Sequence, residues 1–135
     1  MGLTHITKRR DFKAAAENGR RFRAFACTVQ LLERADPTPE LASQGLRLGL
    51  TASRHAGTAT ERNRIRRRLR AAAEKAYAKT AAMPLDVVIV ARREILCARF
   101  DKLVSDLSRS LTEARAKPAT PTHLTKSRQD NAKRR

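Results

Sequence analysis

Apolar positions recur at spacings of three and four in three stretches of this chain, alternate with polar ones in two, and run together in one. At about 100° per residue the first pattern puts side chains on one face of a helix, whereas alternation puts them on one face of a strand. Residues 7–18, TKRRDFKAAAEN, predict a short helix with Arg9, Phe12, Ala15 and Ala16 on one side and Gly19 as a left-handed residue after its end. Over residues 22–33, Phe25, Cys27, Val29 and Leu31 alternate with Ala24, Ala26, Thr28 and Gln30. This predicts one half-buried strand, placed just after the basic cluster Arg20, Arg21 and Arg23. Its second face is nearly free of bulk, leaving room for a ligand or a covering helix. Residues 46–53 alternate again, with Leu46, Leu48, Leu50 and Ala52 inward and Arg47, Gly49, Thr51 and Ser53 outward, so Gly49 opens the outward face to close approach. The run 85–91, LDVVIVA, has the β-branched density of a strand covered on both faces. Residues 99–116 repeat Phe100, Leu103, Val104, Leu107 and Leu111 as a long amphipathic helix.

The third helical stretch is the most informative. Thr58 with Glu61 three residues on fits a capping box, so a helix is expected from about Ala59. Ile65, Leu69, Ala72, Ala73 and Ala76 make its apolar stripe; Met83 and Pro84 close the helical region. Asn63, Arg66, Arg67 and Arg70 fall opposite the stripe, with Arg62, Arg64 and Arg68 at the boundaries. Like charges at these spacings destabilise an isolated helix by roughly 0.2–0.5 kcal/mol per pair, and Glu61 and Glu74 are too few to neutralise them. A solvated face normally mixes signs. Guanidinium forks in such a row match phosphate oxygens and stay charged at any physiological pH.

Composition enlarges this local picture. The 135 residues suffice for one domain, expected over 1–116, and are too few for two of ordinary size. Residues 117–135 are rich in polar and basic side chains with two prolines and are expected to be a disordered tail that attracts phosphate nonspecifically. The stretch 35–45 reads as a polar connection between strands. Thirty Lys and Arg against thirteen Asp and Glu give +17, which points to a polyanionic partner. Nucleic acid is favoured over membrane, because the longest apolar run is about residues 87–91 and a spanning helix needs roughly 18. The N-terminal MGLTHITKRR has no apolar signal core, so the mature chain is expected to start near Met1 and to be cytoplasmic. Cys27 and Cys97 have no metal-ligand spacing around them and are expected as small core residues in a reducing compartment.

The motifs of protein-borne chemistry are missing. Residues 53–60, SRHAGTAT, lack the Gly-Lys-Ser/Thr of a phosphate-binding loop, and neither HExxH nor GxSxG occurs. His55 has no carboxylate or second histidine spaced to pair with it, and no metal site is expected. Charge alone is equally compatible with a general nucleic-acid-binding module, and a nuclease relying on His55 is the remaining enzymatic reading.

The segment ERNRIRRRLR, residues 61–70, preceded by LRLGLTASRHAGTA, resembles the RNR signature of the protein-subunit family of bacterial ribonuclease P. DFKAAAENG, LDVVIVARRE and the helix from Phe100 match that family's first helix, last strand and final helix. The resemblance implies an α/β fold, an α+β two-layer sandwich in the order α-β-β-β-α-β-α. It is similar to the second domain of ribosomal protein S5, with about four strands and the RNR helix in a left-handed crossover. It further implies that the catalyst is RNA, which removes the 5′ leader of precursor tRNA with magnesium bound mainly by that RNA, and that the protein has no catalytic residue. The partners implied are the catalytic RNA and the leader, with no membrane and no obligate protein partner. Carried onto this chain, Arg62, Asn63, Arg64, Arg66, Arg67 and Arg70 face the catalytic RNA. The leader cleft takes Arg9, Phe12, Thr51, Ser53, Arg54, His55, Arg92 and Arg93. Ala16 stands where many relatives carry a second aromatic, and His55 where lysine is usual.

Overall fold

The computed structural model describes residues 4–33, 45–80 and 83–116. Five strands form one sheet: β1 (Thr4–His5), β2 (Arg20–Arg23), β3 (Cys27–Glu33), β4 (Arg47–Thr51) and β5 (Leu85–Ala91), in the order β1-β4-β5-β3-β2. Helix α1 (Arg9–Asn18) follows β1, α2 (Ala59–Ala76) joins β4 to β5, and α3 (Phe100–Ala116) follows β5. Strand β4 runs parallel to β5, so α2 is the crossover between neighbours, while β3 is antiparallel to β5 and to β2. This is the expected α/β class in the implied order α-β-β-β-α-β-α, with five strands rather than about four because β1 is added at the edge. β1 was not foreseen; two residues are too few to show a period, and it is held at the edge by parallel pairing with Arg47 and Leu48. The expected single strand 22–33 is a hairpin, because the chain reverses between Ala24 and Cys27, where the Ala24 N–H donates to the Cys27 carbonyl.

Strand β5 explains why the sheet has two differently covered faces. Val87 and Ile89 point into the main core, shared with Val29, Leu31, Leu46, Leu48, Ile65, Leu69, Leu103 and Leu107 under α2 and α3. Val88 points the other way, into a small cluster with Ile6 and Ala15, against which Phe12, Leu32 and Val90 pack. One short helix cannot cover a five-stranded face, so much of this second face stays open.

An ion cluster ties α1 to that face. Arg47 of β4 donates through Nε and Nη2 to the two carboxylate oxygens of Asp86 on β5, both at 2.8 Å, and its Nη1 lies 3.5 Å from Asp11 of α1. Asp86 is only 3% exposed. Its hydrogen bond raises the Arg47 pKa. On the opposite face Tyr77 is fully buried with its hydroxyl 3.4 Å from Ser110 Oγ, and burial pushes the phenol well above its ordinary range.

Several expectations are corrected in detail. Gly19 is extended (φ −76°, ψ 159°) rather than left-handed. A Cβ there would lie 2.5 Å from the Ala15 carbonyl oxygen, so close backbone approach accounts for the glycine. Helix α2 ends at Ala76, followed by a 3-10 turn at Ala78–Thr80, ahead of Met83 and Pro84. Phe25, expected inward, is 67% exposed at the hairpin tip, and Phe100 is also exposed because it begins α3 beyond the core's edge. Cys27 is buried, and desolvation pushes its thiol up to about 11, but Cys97 is exposed and contradicts the expected core placement. It caps the 3-10 turn Arg93–Leu96, outside the strand and helix periods. The expected tail (117–135) and most of the connection at 35–45 lie outside the described residues.

Asp86→Ala leaves the largely buried Arg47 without its two-pronged partner, with only Asp11 at 3.5 Å to offset the charge, and is expected to lower stability by about 3 kcal/mol. Replacing the pair together, Arg47→Met with Asp86→Leu, is expected to recover most of that loss, as read by urea denaturation.

Candidate nucleic-acid interface

Helix α2 starts as its sequence dictates. The Glu61 N–H donates to Thr58 Oγ1 at 3.2 Å and the Thr58 N–H donates to Glu61 Oε1 at 2.9 Å, completing the capping box. Gly57 precedes it at φ 151°, in the region that L residues rarely enter, and allows the turn from Arg54–Ala56 into the helix. Ile65, Leu69, Ala72 and Ala73 are buried as the stripe requires, and Ala76 packs partly against the same core. Asn63, Arg64, Arg67 and Arg70 are exposed, while Arg62, Arg66 and Arg68 are half-buried.

The boundary arginines divide by task. Arg68 donates to the carbonyls of Ile95, Leu96 and Ala98, with Nη2 to Ala98 at 2.6 Å, so it fastens α2 to the segment after β5. Arg66 donates to Asn63 Oδ1 at 3.3 Å. The side chains of Arg62, Arg64, Arg67 and Arg70 have no hydrogen bond or ion pair with any described residue, which leaves four guanidinium groups for an external anion.

A groove lies on the open sheet face beside α1. One part, of about 550 Å³, is lined by Arg9, Phe12, Lys13, Ala16, Gln30, Thr51, Val88 and Val90. A second, of about 430 Å³, shares Arg9, Phe12 and Thr51 and continues past Leu50 and Ala52 to Arg66 of α2. Phe12 is the wall between α1 and the sheet. A Cβ on Gly49 would lie 2.7 Å from its Cε1, so the close approach that Gly49 permits is taken by this ring rather than left open. The small side chain of Ala16 widens the groove on the same helix face.

Of the residues assigned to the cleft, the structure brings Arg9, Phe12 and Thr51 together and adds Arg66. Ser53, Arg54 and His55 are exposed on the turn just beyond Thr51 and do not line the groove. Arg92 and Arg93 serve other partners. Arg92 donates to the carbonyls of Ala24, Phe25 and Cys27 and to Thr28 Oγ1, closing the β2–β3 hairpin. Arg93 forms a two-pronged pair with Glu61, both arms at 2.8 Å, which locks the start of α2. These hydrogen bonds hold the Glu61 carboxyl down at about 2 and raise the arginine.

Gln30 is the groove residue that sequence reasoning passed over as merely unobtrusive. It is 8% exposed, it lines the floor, and its side-chain amide has no partner among the described residues. A buried amide without a partner is costly unless a ligand satisfies it. Its place in the alternation, facing away from Val29 and Leu31, was the available signal. Among the described residues no group of three or more His, Cys, Asp or Glu side chains is placed to hold a metal, and no helix is long and apolar enough to cross a membrane.

Residues 3–115 match the family model described as Ribonuclease P. The chain is 36% identical over 116 residues to the ribonuclease P protein component of Ruegeria pomeroyi, covering 85% of this chain and 89% of that one. It is 35% identical over 112 residues to that of Brucella suis, covering 82% and 79%. Among solved structures it is similar to the RNase P protein of Staphylococcus aureus, with a TM-score of 0.65 at 21% identity over 84% of this chain and 96% of that chain. For the RNase P protein from Thermotoga maritima the TM-score is 0.59 at 20% identity, over 84% and 97%.

The Glu61–Arg93 pair makes a pH prediction. The folded pKa lies below the ordinary 4.5, so the stabilisation is complete above pH 4.5 and is lost as pH falls toward about 2. Thermal unfolding across that window is expected to show a shallower acid decline for Glu61→Gln than for the wild type. Parallel declines would show that the pair does not contribute.

Proposed function

The chain belongs to the ribonuclease P protein family, and we propose that it binds the family's catalytic RNA through α2 and the single-stranded 5′ leader of precursor tRNA through the groove beside α1. The observation that carries this reading is the continuity of the two surfaces through Arg66, which belongs to the arginine helix and also closes the groove. A leader laid along the groove meets an aromatic edge at Phe12, an unpartnered amide at Gln30 and cations at Arg9, Lys13 and Arg66. Those are the group types that bind single-stranded RNA: a ring for stacking, an amide for a base edge and guanidinium for phosphate. Arg62, Arg64, Arg67 and Arg70, with Asn63, face the catalytic RNA.

The protein's contribution is positional and electrostatic. It lowers the repulsion between two polyanions and favours precursor over matured tRNA, because only the precursor has a leader to occupy the groove. In this reading cleavage belongs to the RNA, and the magnesium it uses is held mainly by that RNA. His55 is exposed on its turn, without a hydrogen bond or ion pair to any described residue, and takes no catalytic part in this reading. The setting is the bacterial cytoplasm, where precursor tRNA is made.

Cleavage of a 5′-extended precursor tRNA at low magnesium is expected only weakly with the catalytic RNA alone, strongly with both components, and not at all with the protein alone. Phe12→Ala is expected to weaken precursor binding by the reconstituted enzyme about 5- to 100-fold, with matured tRNA unaffected. Equal losses for both RNAs would remove the leader from the groove.

A further inference from the structure

We propose a second RNA contact on this chain, resting on the reading above: Phe25 and the neighbouring start of α3 form a stacking platform for an unpaired base of the catalytic RNA. The chain has four phenylalanines. Phe22 is buried beneath Arg109, whose guanidinium carbon lies 5.5 Å from the ring centre, and Phe12 packs over Gly49. Phe25 is instead 67% exposed at the hairpin tip, and Phe100 is 37% exposed. Beside Phe25 is a hollow of about 530 Å³ lined by Ala98, Arg99, Asp101, Lys102 and Ser105.

The backbone that carries this exposed ring is held in place. The turn from Ala24 to Cys27 contains no glycine, proline or asparagine, and its carbonyls are gathered instead by Arg92, which reaches back from the end of β5. The Arg92 N–H adds a bond to the Ala26 carbonyl at 3.0 Å. A ring on a fixed backbone loses less entropy on stacking than one on a mobile loop, so the clamp preorganises the exposed apolar tip.

Charge and continuity select the occupant. Arg99 and Lys102 rim the hollow. Arg99 is paired only with Asp101 at 3.5 Å, and both are largely exposed. Lys102 is paired with the buried Asp106 at 3.0 Å. An exposed pair such as Arg99–Asp101 is weak, so its guanidinium is free to exchange the carboxylate for a phosphate. Ala98, in the hollow's wall, is also the carbonyl that Arg68 of α2 holds. The platform therefore lies against the segment that Arg68 fastens to α2, and we place it within reach of an RNA bound along that helix. A ring on a fixed backbone, beside an exposed Arg99 whose weak pair with Asp101 can be exchanged for phosphate, fits a nucleobase and its phosphates better than an apolar protein segment.

The test uses the complete chain and the catalytic RNA. Phe25→Ala is expected to weaken binding about 5- to 100-fold, Phe25→Leu to weaken it similarly, and Phe25→Trp to retain wild-type affinity. Because the chain has no tryptophan, Phe25→Trp supplies a single emitter whose fluorescence is expected to be quenched by saturating RNA. Wild-type affinity in Phe25→Ala or Phe25→Leu, or unchanged emission from Phe25→Trp, would overturn the platform. So would a self-association that Phe25→Ala abolishes without altering RNA affinity. Failure of the wild-type chain itself to bind the RNA would instead bring down the functional reading on which the platform rests.

Discussion

The open face of the sheet depends on how α1 is fastened. A ten-residue helix brings little apolar surface: only Ala15 is fully buried, with Phe12 half-covered. The remaining hold is electrostatic, through Asp11 to the Arg47–Asp86 pair that crosses β4 and β5. Because Asp86 is buried, that attachment is directional and fixes the helix at one position rather than letting it slide over the apolar floor. Val88, Val90, Gln30 and Thr51 are thereby left at the edge of α1, where they become a groove rather than a core.

The same economy governs the arginines. With a formal charge of +17 the chain must either satisfy its guanidinium groups internally or present them. Arg47 and Arg93 are matched by carboxylates; Arg68 and Arg92 gather backbone carbonyls that turns leave without partners. Each of these four joins segments distant in sequence, and each fixes an element that shapes a surface. The arginines on the outer side of α2 have no such internal duty, and that contrast, more than charge density, distinguishes the face we propose for RNA from the scaffold that supports it.

What the residues disclosed beforehand follows from the range over which their physics acts. The capping box at Thr58 and Glu61, the stripe from Ile65 to Ala73 and the two-sided burial of β5 are local patterns, and the structure realises them. Periodicity alone ran the hairpin into one strand, because its turn is stabilised by Arg92 rather than by turn-forming residues of its own, although the strand order implied by resemblance allows for it. The roles of Arg92 and Arg93 were hidden for the same reason: a sequence pattern cannot say which arginines will find internal partners. Gln30 needed the fold to show that its position, set by alternation, lies on the floor of the groove beside α1. Family resemblance supplied the leader and the catalytic RNA, which no periodicity could have named.

The central claim is that the groove beside α1, and not the arginine face, holds the leader. Its most direct test is photocrosslinking from a 4-thiouridine-substituted leader of precursor tRNA within the assembled ribonucleoprotein, with the attached peptides mapped. Adducts in α1 and on β3 and β4, around Phe12, Gln30 and Thr51, are the result this account predicts. Adducts confined to the outer face of α2 or to the Phe25 hairpin would contradict it.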